Sequence, residues 1–141
     1  MFDNILVVCI GNICRSPIGE ELLKQALPAK KITSAGLGAL VDKPADPKSE
    51  QVCQAHNVSL SQHVARQITS DMIAESDLIL VMEKKHIDAI TKLAPGARGK
   101  TMLYGHWLNK EIPDPYKQSI EAFEHVYKLV EQSADAWIKR L

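Results

Sequence analysis

The apolar run Ile5-Leu6-Val7-Val8 passes without a break into Cys9-Ile10-Gly11-Asn12-Ile13-Cys14-Arg15-Ser16, and Pro17 opens an amphipathic segment directly after it. A run without polar alternation is a strand covered on both faces, the situation of a parallel sheet with helices on either side. Pro17 suits a first helical turn, and Ile18, Leu22, Leu23, Ala26 and Leu27 recur at helical spacing until Pro28. The residues between must carry the chain from the end of a buried strand into the start of a helix. A short Gly-containing loop in that place points several backbone N–H groups at one spot, and the helix dipole adds partial positive charge there. An oxyanion of phosphate size fits such a spot.

Cys9 starts the loop and Arg15 ends it, so a thiol and a guanidinium face the same anion. A thiol attacks only as thiolate, which helix N-termini and neighbouring cations favour. Arg15 can clamp two non-bridging oxygens bidentately and compensate charge on the transferring group, a geometry Lys cannot copy. Gly11 supplies a backbone conformation that side chains disfavour and a close approach to the ligand. Asn12 tolerates the left-handed region and ties the loop together through its amide. Ser16 can donate its hydroxyl to the Cys9 sulfur and ease the departure of the thiolate, while Ile10, Ile13 and Cys14 complete the anion loop. Taken singly, Cys9 reads as a small buried residue at a strand end. The order Cys, Gly, Asn, Arg, Ser, Pro at a strand-to-helix junction instead predicts phosphoryl chemistry at sulfur.

Beyond this loop the chain alternates strand and helix. Lys31 to Ala35 reads as a second strand and 36–47 as a long loop of the kind that carries function. Residues 47–56 read as helix, Ala65 to Ile68 as a short strand, Ser70 to Glu75 as a helical turn and Leu78 to Met82 as another buried strand. Helix returns over 83–93, Thr101 to Leu103 reads as the last strand, and 117–140 as a long amphipathic helix. The alternation predicts an α/β fold: one domain over residues 1–141, a three-layer sandwich whose central four-stranded parallel sheet has helices on both faces. Ligands of such sheets bind outside the carboxyl ends of the strands, where Cys9 falls.

Balanced charge, 17 basic against 17 acidic residues, gives no bulk polycation for nucleic acid or anionic membrane. No leader pattern and no apolar run of membrane-spanning length occurs, so a cytoplasmic protein without membrane insertion is expected. An odd cysteine count of 3 without such a leader leaves Cys9, Cys14 and Cys53 as thiols, Cys53 packed in a helix core. The 5 His are scattered and form no His-Glu-x-x-His motif, and no Cys-x-x-Cys occurs, so neither metal nor cofactor is expected. Gly99-Lys100-Thr101 has its nearest glycine at Gly96, the wrong spacing for a nucleotide P-loop.

Phosphoryl transfer from an alcohol also needs a proton for the leaving oxygen, which a carboxylic acid on a loop can supply. Asp114, between Pro113 and Pro115 and before Tyr116, sits in a stiffened extended segment suited to that role. Asp-Pro alone more often starts a turn or caps a helix, and Asp46-Pro47 reads that way.

The stretch Cys9 to Pro17, with Ser34-Ala35-Gly36, Asp77-Leu78-Ile79-Leu80-Val81-Met82 and Asp114-Pro115-Tyr116 in that order, resembles the low-molecular-weight protein tyrosine phosphatases over nearly the whole chain. Gly36-Leu37-Gly38-Ala39-Leu40, Met82-Glu83-Lys84, Gly105-His106-Trp107 and Ile112-Pro113-Asp114-Pro115-Tyr116 further resemble the bacterial branch encoded with capsule or exopolysaccharide genes and paired with a tyrosine autokinase. The resemblance implies phosphotyrosine hydrolysis through a cysteinyl-phosphate, with Cys9 as nucleophile, Arg15 as clamp and Asp114 as general acid. It implies a phosphotyrosine protein as partner, a membrane tyrosine autokinase of polysaccharide export; a monomer or weak oligomer is expected. Leu40 and Tyr116, with Ile13, become candidate pocket walls. Leu40 stands where many relatives carry an aromatic residue, and Lys117 where some carry a second tyrosine. Three alternatives stand beside this reading. Protein arginine phosphatases of similar fold use Thr at the place of Ile13. Arsenate reductases relay a disulfide through cysteines near the middle strand, where residues 76–100 hold none. A non-catalytic phosphopeptide-binding module would need neither Cys9 nor Asp114. Cys14 offers a reversible disulfide partner for Cys9, with a spectator thiol as the alternative.

Overall fold

Four short apolar segments build the frame of the computed structural model, which describes residues 2–141. They are β1 (Asn4–Cys9), β2 (Lys31–Gly36), β3 (Leu78–Val81) and β4 (Thr101–Leu103), joined in one parallel sheet of order β2-β1-β3-β4. Five α-helices connect and cover it: α1 (Arg15–Ala26), α2 (Pro47–Ala55), α3 (Ser70–Glu75), α4 (Lys84–Leu93) and α5 (Ile120–Ile138). Two 3-10 segments, Pro95–Lys100 and His106–Leu108, flank β4.

The period-two geometry of a strand splits the core into two. Ile5, Val7, Cys9, Leu78 and Leu80 face one side, against Ile18 and Leu23 of α1, Val52 and Cys53 of α2, and Phe123, Tyr127, Val130 and Trp137 of α5. Leu6, Val8, Ile79 and Val81 face the other, against Ile73 of α3 and Ile90 of α4. The outcome is the expected three-layer α/β sandwich. Tyr104 locks two elements to each other: its hydroxyl donates to Gly19 O at 3.0 Å, while its carbonyl accepts Trp137 Nε1–H at 2.8 Å. No helix among the described residues is long and apolar enough to cross a membrane.

The sheet order places the reactive end of the chain. From β1 the chain steps to β2 on one side and then returns across β1 to β3 on the other. The carboxyl end of β1 is therefore a topological switch point, where the connections diverge and leave a crevice. Cys9 is the last residue of β1.

Two expected elements differ. Ala65 to Ile68 is not a strand; a single bridge joins Gly36 and Gln67. The Ala65 amide and carbonyl are taken by Lys43 O and Asp42 N, at 2.8 and 2.9 Å, so the segment pairs with the loop after β2 rather than with β2 along a ladder. The last helix begins later than 117. Lys117 sits in the left-handed region at φ 63°, and Ser119, whose side chain accepts the Ala122 N–H, caps a helix that starts at Ile120. The Asp46-Pro47 pair behaves as expected: Asp46 Oδ1 accepts Lys48 N–H at 2.9 Å and caps α2. Lys100 is likewise structural, donating to Ile73 O and Ser76 O at 2.7 Å.

Candidate active site

The loop from Cys9 to Cys14 has every carbonyl occupied from outside. Cys9 O accepts Leu37 N–H (2.9 Å), Ile10 O accepts Gly38 N–H (3.0 Å), Gly11 O accepts Leu40 N–H (3.0 Å) and Ile13 O accepts Asp46 N–H (2.8 Å). Asn12 O accepts His63 Nε2–H at 2.6 Å, and Cys14 O accepts the Ser49 hydroxyl at 3.2 Å. No cis peptide is present among the described residues, and a trans peptide points its N–H opposite its C=O. With the carbonyls turned outward, the N–H groups of Ile10 through Arg15 turn inward, around the Cys9 sulfur. The first turn of α1 holds no acidic residue, so nothing on the helix neutralises its positive end.

The conformational strain of this loop falls at Asn12, with φ 59°, and no glycine has positive φ. The expectation that Gly11 supplies the unusual backbone conformation is thus corrected. A Cβ on Gly11 would meet Ile13 at 3.6 Å, an ordinary contact. Asn12 holds its left-handed position because its buried amide is fully bonded: Nδ2 donates to Ser16 Oγ (2.7 Å) and Ser34 Oγ (3.0 Å), and Oδ1 accepts Arg66 N–H (2.9 Å). Ser34 donates onward to Glu20. Since Ser16 accepts from Asn12, its own proton is free for Cys9 Sγ, 3.0 Å away.

Arg15 is 1 % exposed, a buried cation. Both protons of its Nη1 are used, by Glu83 Oε2 at 2.7 Å and Ile112 O at 2.8 Å. The Nε–Nη2 edge remains, the geometry that grips two oxygens side by side. Burial pushes the Glu83 carboxyl up, but the hydrogen bond and charge of Arg15, with His86 and then Lys85 adding, outweigh it and hold the group below its ordinary range. Asp114 lies at the rim, 44 % exposed, with Oδ2 3.8 Å from Arg15 Nη2. Its Oδ1 accepts Tyr116 N–H at 3.1 Å, which fixes the turn on which the carboxyl is mounted.

These groups enclose a cavity of about 140 Å³ lined by Cys9, Ile10, Gly11, Ile13, Cys14, Arg15, Gly38, Leu40, Asp114 and Tyr116. A thiol, an array of inward amides, a clamped arginine and a carboxyl in one small cleft are the parts needed to transfer a phosphoryl group to sulfur. The pattern of the low molecular weight phosphotyrosine protein phosphatases matches residues 4–141. The chain belongs to that family. It is 59% identical to a probable low molecular weight protein-tyrosine-phosphatase AmsI of Erwinia amylovora, over 100% of this chain and 99% of that one. Identity to the low molecular weight protein-tyrosine-phosphatase Wzb of Salmonella typhimurium is 56%, over 100% of this chain and 95% of that one. Among solved structures, Vibrio vulnificus Wzb in complex with benzylphosphonate superposes with a TM-score of 0.97 at 51% identity, covering 100% of both chains. The YwlE arginine phosphatase of Geobacillus stearothermophilus shares the fold at a TM-score of 0.91 but only 28% identity, over 96% of this chain and 90% of that one.

In this phosphatase the expected site residues converge. Cys9, Arg15, Asp114, Leu40 and Tyr116 share the cleft, and the side chains of Asn12 and Ser16 support the loop from outside the cleft. Leu40 and Tyr116 are exposed at the mouth, whereas Ile13 is buried along the wall. All three cysteines are free and buried. Burial, and next the nearby Asp46, push the Cys14 thiol up, so it is protonated at neutral pH; burial first pushes Cys53 up to about 12. Sequence reasoning missed the groups that hold the site from outside: Glu83, the Ile112 carbonyl, His63, Ser34, Arg66 and Gly36. A larger cavity of about 280 Å³, between Pro17, Glu20, His63 and Arg66, lies behind the loop and does not include Cys9.

Proposed function

We propose that this phosphatase hydrolyses phosphotyrosine in proteins by two in-line displacements at phosphorus, with Cys9 as nucleophile of the first and leaving group of the second, its 141 residues acting as one domain. The observation that carries the assignment is the loop with its carbonyls tied outward around a sulfur 3.0 Å from the Ser16 hydroxyl. In the first step the Cys9 thiolate forms an S–P bond as the bond from phosphorus to the tyrosine oxygen breaks. Asp114 delivers its proton to that departing oxygen. The inward N–H groups and the Nε–Nη2 edge of Arg15 hold the equatorial oxygens, where charge accumulates. In the second step Asp114 takes a proton from water, the water oxygen bonds to phosphorus, and the S–P bond breaks to release inorganic phosphate. Ser16 stabilises the returning thiolate.

Leu40 and Tyr116 at the mouth and Ile13 in the wall form an apolar collar around the phosphate site. A phenyl ring bridges that collar and places its phosphate on the loop, whereas phosphoserine is too short to do so. Following the resemblance of Met82-Glu83-Lys84 and of Ile112 to Tyr116 to the bacterial capsule and exopolysaccharide branch, the substrate we infer is a membrane tyrosine autokinase controlling capsule or exopolysaccharide production. The enzyme acts on it from the cytoplasm, without cofactor or metal, as a monomer or weak oligomer.

Hydrolysis of p-nitrophenyl phosphate and of a phosphotyrosine peptide by wild type, Cys9→Ser and Asp114→Asn tests this, with phosphoserine, phosphoarginine and arsenate alongside. Cys9→Ser is expected to be inactive. Asp114→Asn is expected to lose about 10²-fold or more on the phosphotyrosine peptide, and less on p-nitrophenyl phosphate, whose leaving group needs little protonation. An active Cys9→Ser, or equal losses on both substrates in Asp114→Asn, sinks the assignment.

A further inference from the structure

Behind Arg15 stands a buried titratable group that the reaction above does not use. His86, in the first turn of α4, is 1 % exposed. Its Nδ1 accepts the backbone N–H of Glu83 at 3.2 Å, so the neutral ring carries its proton on Nε2. That Nε2 is buried and has no hydrogen-bond partner. It lies 3.5 Å from Glu83 Oε2, the oxygen that also accepts from Arg15 Nη1 at 2.7 Å. A buried N–H without a partner is costly, and the cap that Nδ1 provides at the start of α4 accounts for one ring nitrogen but not for the buried Nε2. The carboxylate oxygen 3.5 Å from this orphaned donor is the anchor of the arginine.

The charged groups facing His86 are Arg15 of α1, Glu83 and Lys85 at the β3–α4 junction, and Asp114 from the loop before α5. Burial first, and then the Arg15 charge, push the imidazole down to about 4. A neutral ring can orient Glu83 without competing with Arg15 for its negative charge; an imidazolium would compete.

We propose that His86 is a positioning residue for phosphoryl transfer, its Nε2–H fixing the Glu83 carboxylate against Arg15 Nη1 and so setting the guanidinium edge that meets the phosphoryl oxygens. The proposal rests on the assignment of Arg15 as the oxygen clamp. A gap of 3.5 Å separates the two atoms, and hydrogen bonds around reacting groups tighten when the oxyanion arrives.

The test compares kcat/KM for p-nitrophenyl phosphate and the inhibition constant of inorganic phosphate in wild type, His86→Leu, His86→Gln, Glu83→Gln, the His86→Leu/Glu83→Gln double variant and Arg15→Lys. Gln at this third helical position accepts the Glu83 N–H as in a capping box and keeps an N–H for Oε2. His86→Leu is expected to lower kcat/KM about tenfold through misplacement of the guanidinium and to weaken phosphate binding by a similar factor. His86→Gln is expected to recover most of both, and the double variant to lose no more than Glu83→Gln alone. Wild-type kinetics in a folded His86→Leu protein, or losses that multiply in the double variant, overturn the proposal. If His86→Leu does not fold, the nitrogen and proton spectra of the wild-type imidazole decide. The Nε2–H tautomer, with its proton shifted by inorganic phosphate, is expected, and an Nδ1–H tautomer overturns the proposal. Arg15→Lys with wild-type kcat/KM overturns the clamp itself, whereas a crippled Arg15→Lys beside multiplying His86 and Glu83 losses overturns the His86 role alone.

Discussion

Gly36 has no side chain to contribute, yet it sets how near β2 comes to the anion loop. A Cβ there would stand 2.3 Å from Ile10 O and 3.1 Å from Ala39. Ile10 O accepts the Gly38 N–H, one of the bonds that turn the loop carbonyls outward, and Ala39 directly follows Gly38. In Gly36→Ala the backbone must yield, and a displacement approaching 1 Å costs about 10²-fold in rate. Steady-state kinetics on the folded variant are expected to show that loss. Glu83→Gln acts differently, leaving the buried Arg15 guanidinium without its anion, which costs about 3–5 kcal/mol. Urea unfolding without phosphate is expected to show the cost, and saturating phosphate to restore part of it by binding only the folded state. Cys9, Arg15 and Ser16 were legible because they form a local code at one strand-to-helix junction. Glu83 and the Ile112 carbonyl were not, since they meet Arg15 across sequence separations of 68 and 97 and no local pattern marks a residue that meets its partner only through the fold. Gly11 was misread for a related reason: glycine is the usual left-handed residue, but here a fully bonded amide lets Asn12 take that conformation.

At the scale of elements, the boundaries of α5 show how local chemistry overrules periodicity. The sequence reading carries the helix back to 117, ahead of the first apolar position at Ile120, but the Asp114 turn and the left-handed Lys117 exclude those residues. Four of the five positive-φ residues are Asn or Asp, which tolerate that region, and Lys117 is the exception. Lys117→Asn is expected to raise stability by up to about 1 kcal/mol, read as an increase in Tm, without loss of activity toward p-nitrophenyl phosphate. Ser119, whose side chain accepts the Ala122 N–H, supplies the cap. Its replacement by Ala is expected to lower stability by about 1 kcal/mol, measured in the same unfolding assay. The absent strand at 65–68 follows the same logic. Its composition suits a strand, but its backbone groups serve the loop after β2 and bring Arg66 N–H to Asn12. A segment recruited to hold a functional loop does not lengthen the sheet.

At the scale of the whole molecule, alternating elements implied a parallel sheet with two covered faces, while the order β2-β1-β3-β4 follows from how the crossovers fall and no residue pattern states it. That order puts the β3–α4 junction, with Glu83 as cap and His86 in the first turn of α4, beside the end of β1, so a layer-to-layer contact at the site is also part of global stability. His86 folded titrates near 4 against an ordinary 6.5, because of burial first and the Arg15 charge second. Between those values the unfolded chain binds a proton that the folded protein refuses. The contribution is therefore complete above pH 6.5 and is lost as pH falls toward 4, up to about 3 kcal/mol. Glu83 is held below its ordinary 4.5 because Arg15 outweighs burial, so its contribution is present above that value and lost only at lower pH. The two losses fall in adjacent windows, histidine first. Urea unfolding at pH 7, 5.5 and 4.5 in a buffer without oxyanions is expected to show wild type weakening across the upper window and His86→Gln weakening less, because the variant has no imidazole to protonate on unfolding. Equal slopes in the two proteins would mean that the ring takes up its proton while folded, and the buried contact between His86 and Glu83 would then have to tolerate a second cation beside Arg15.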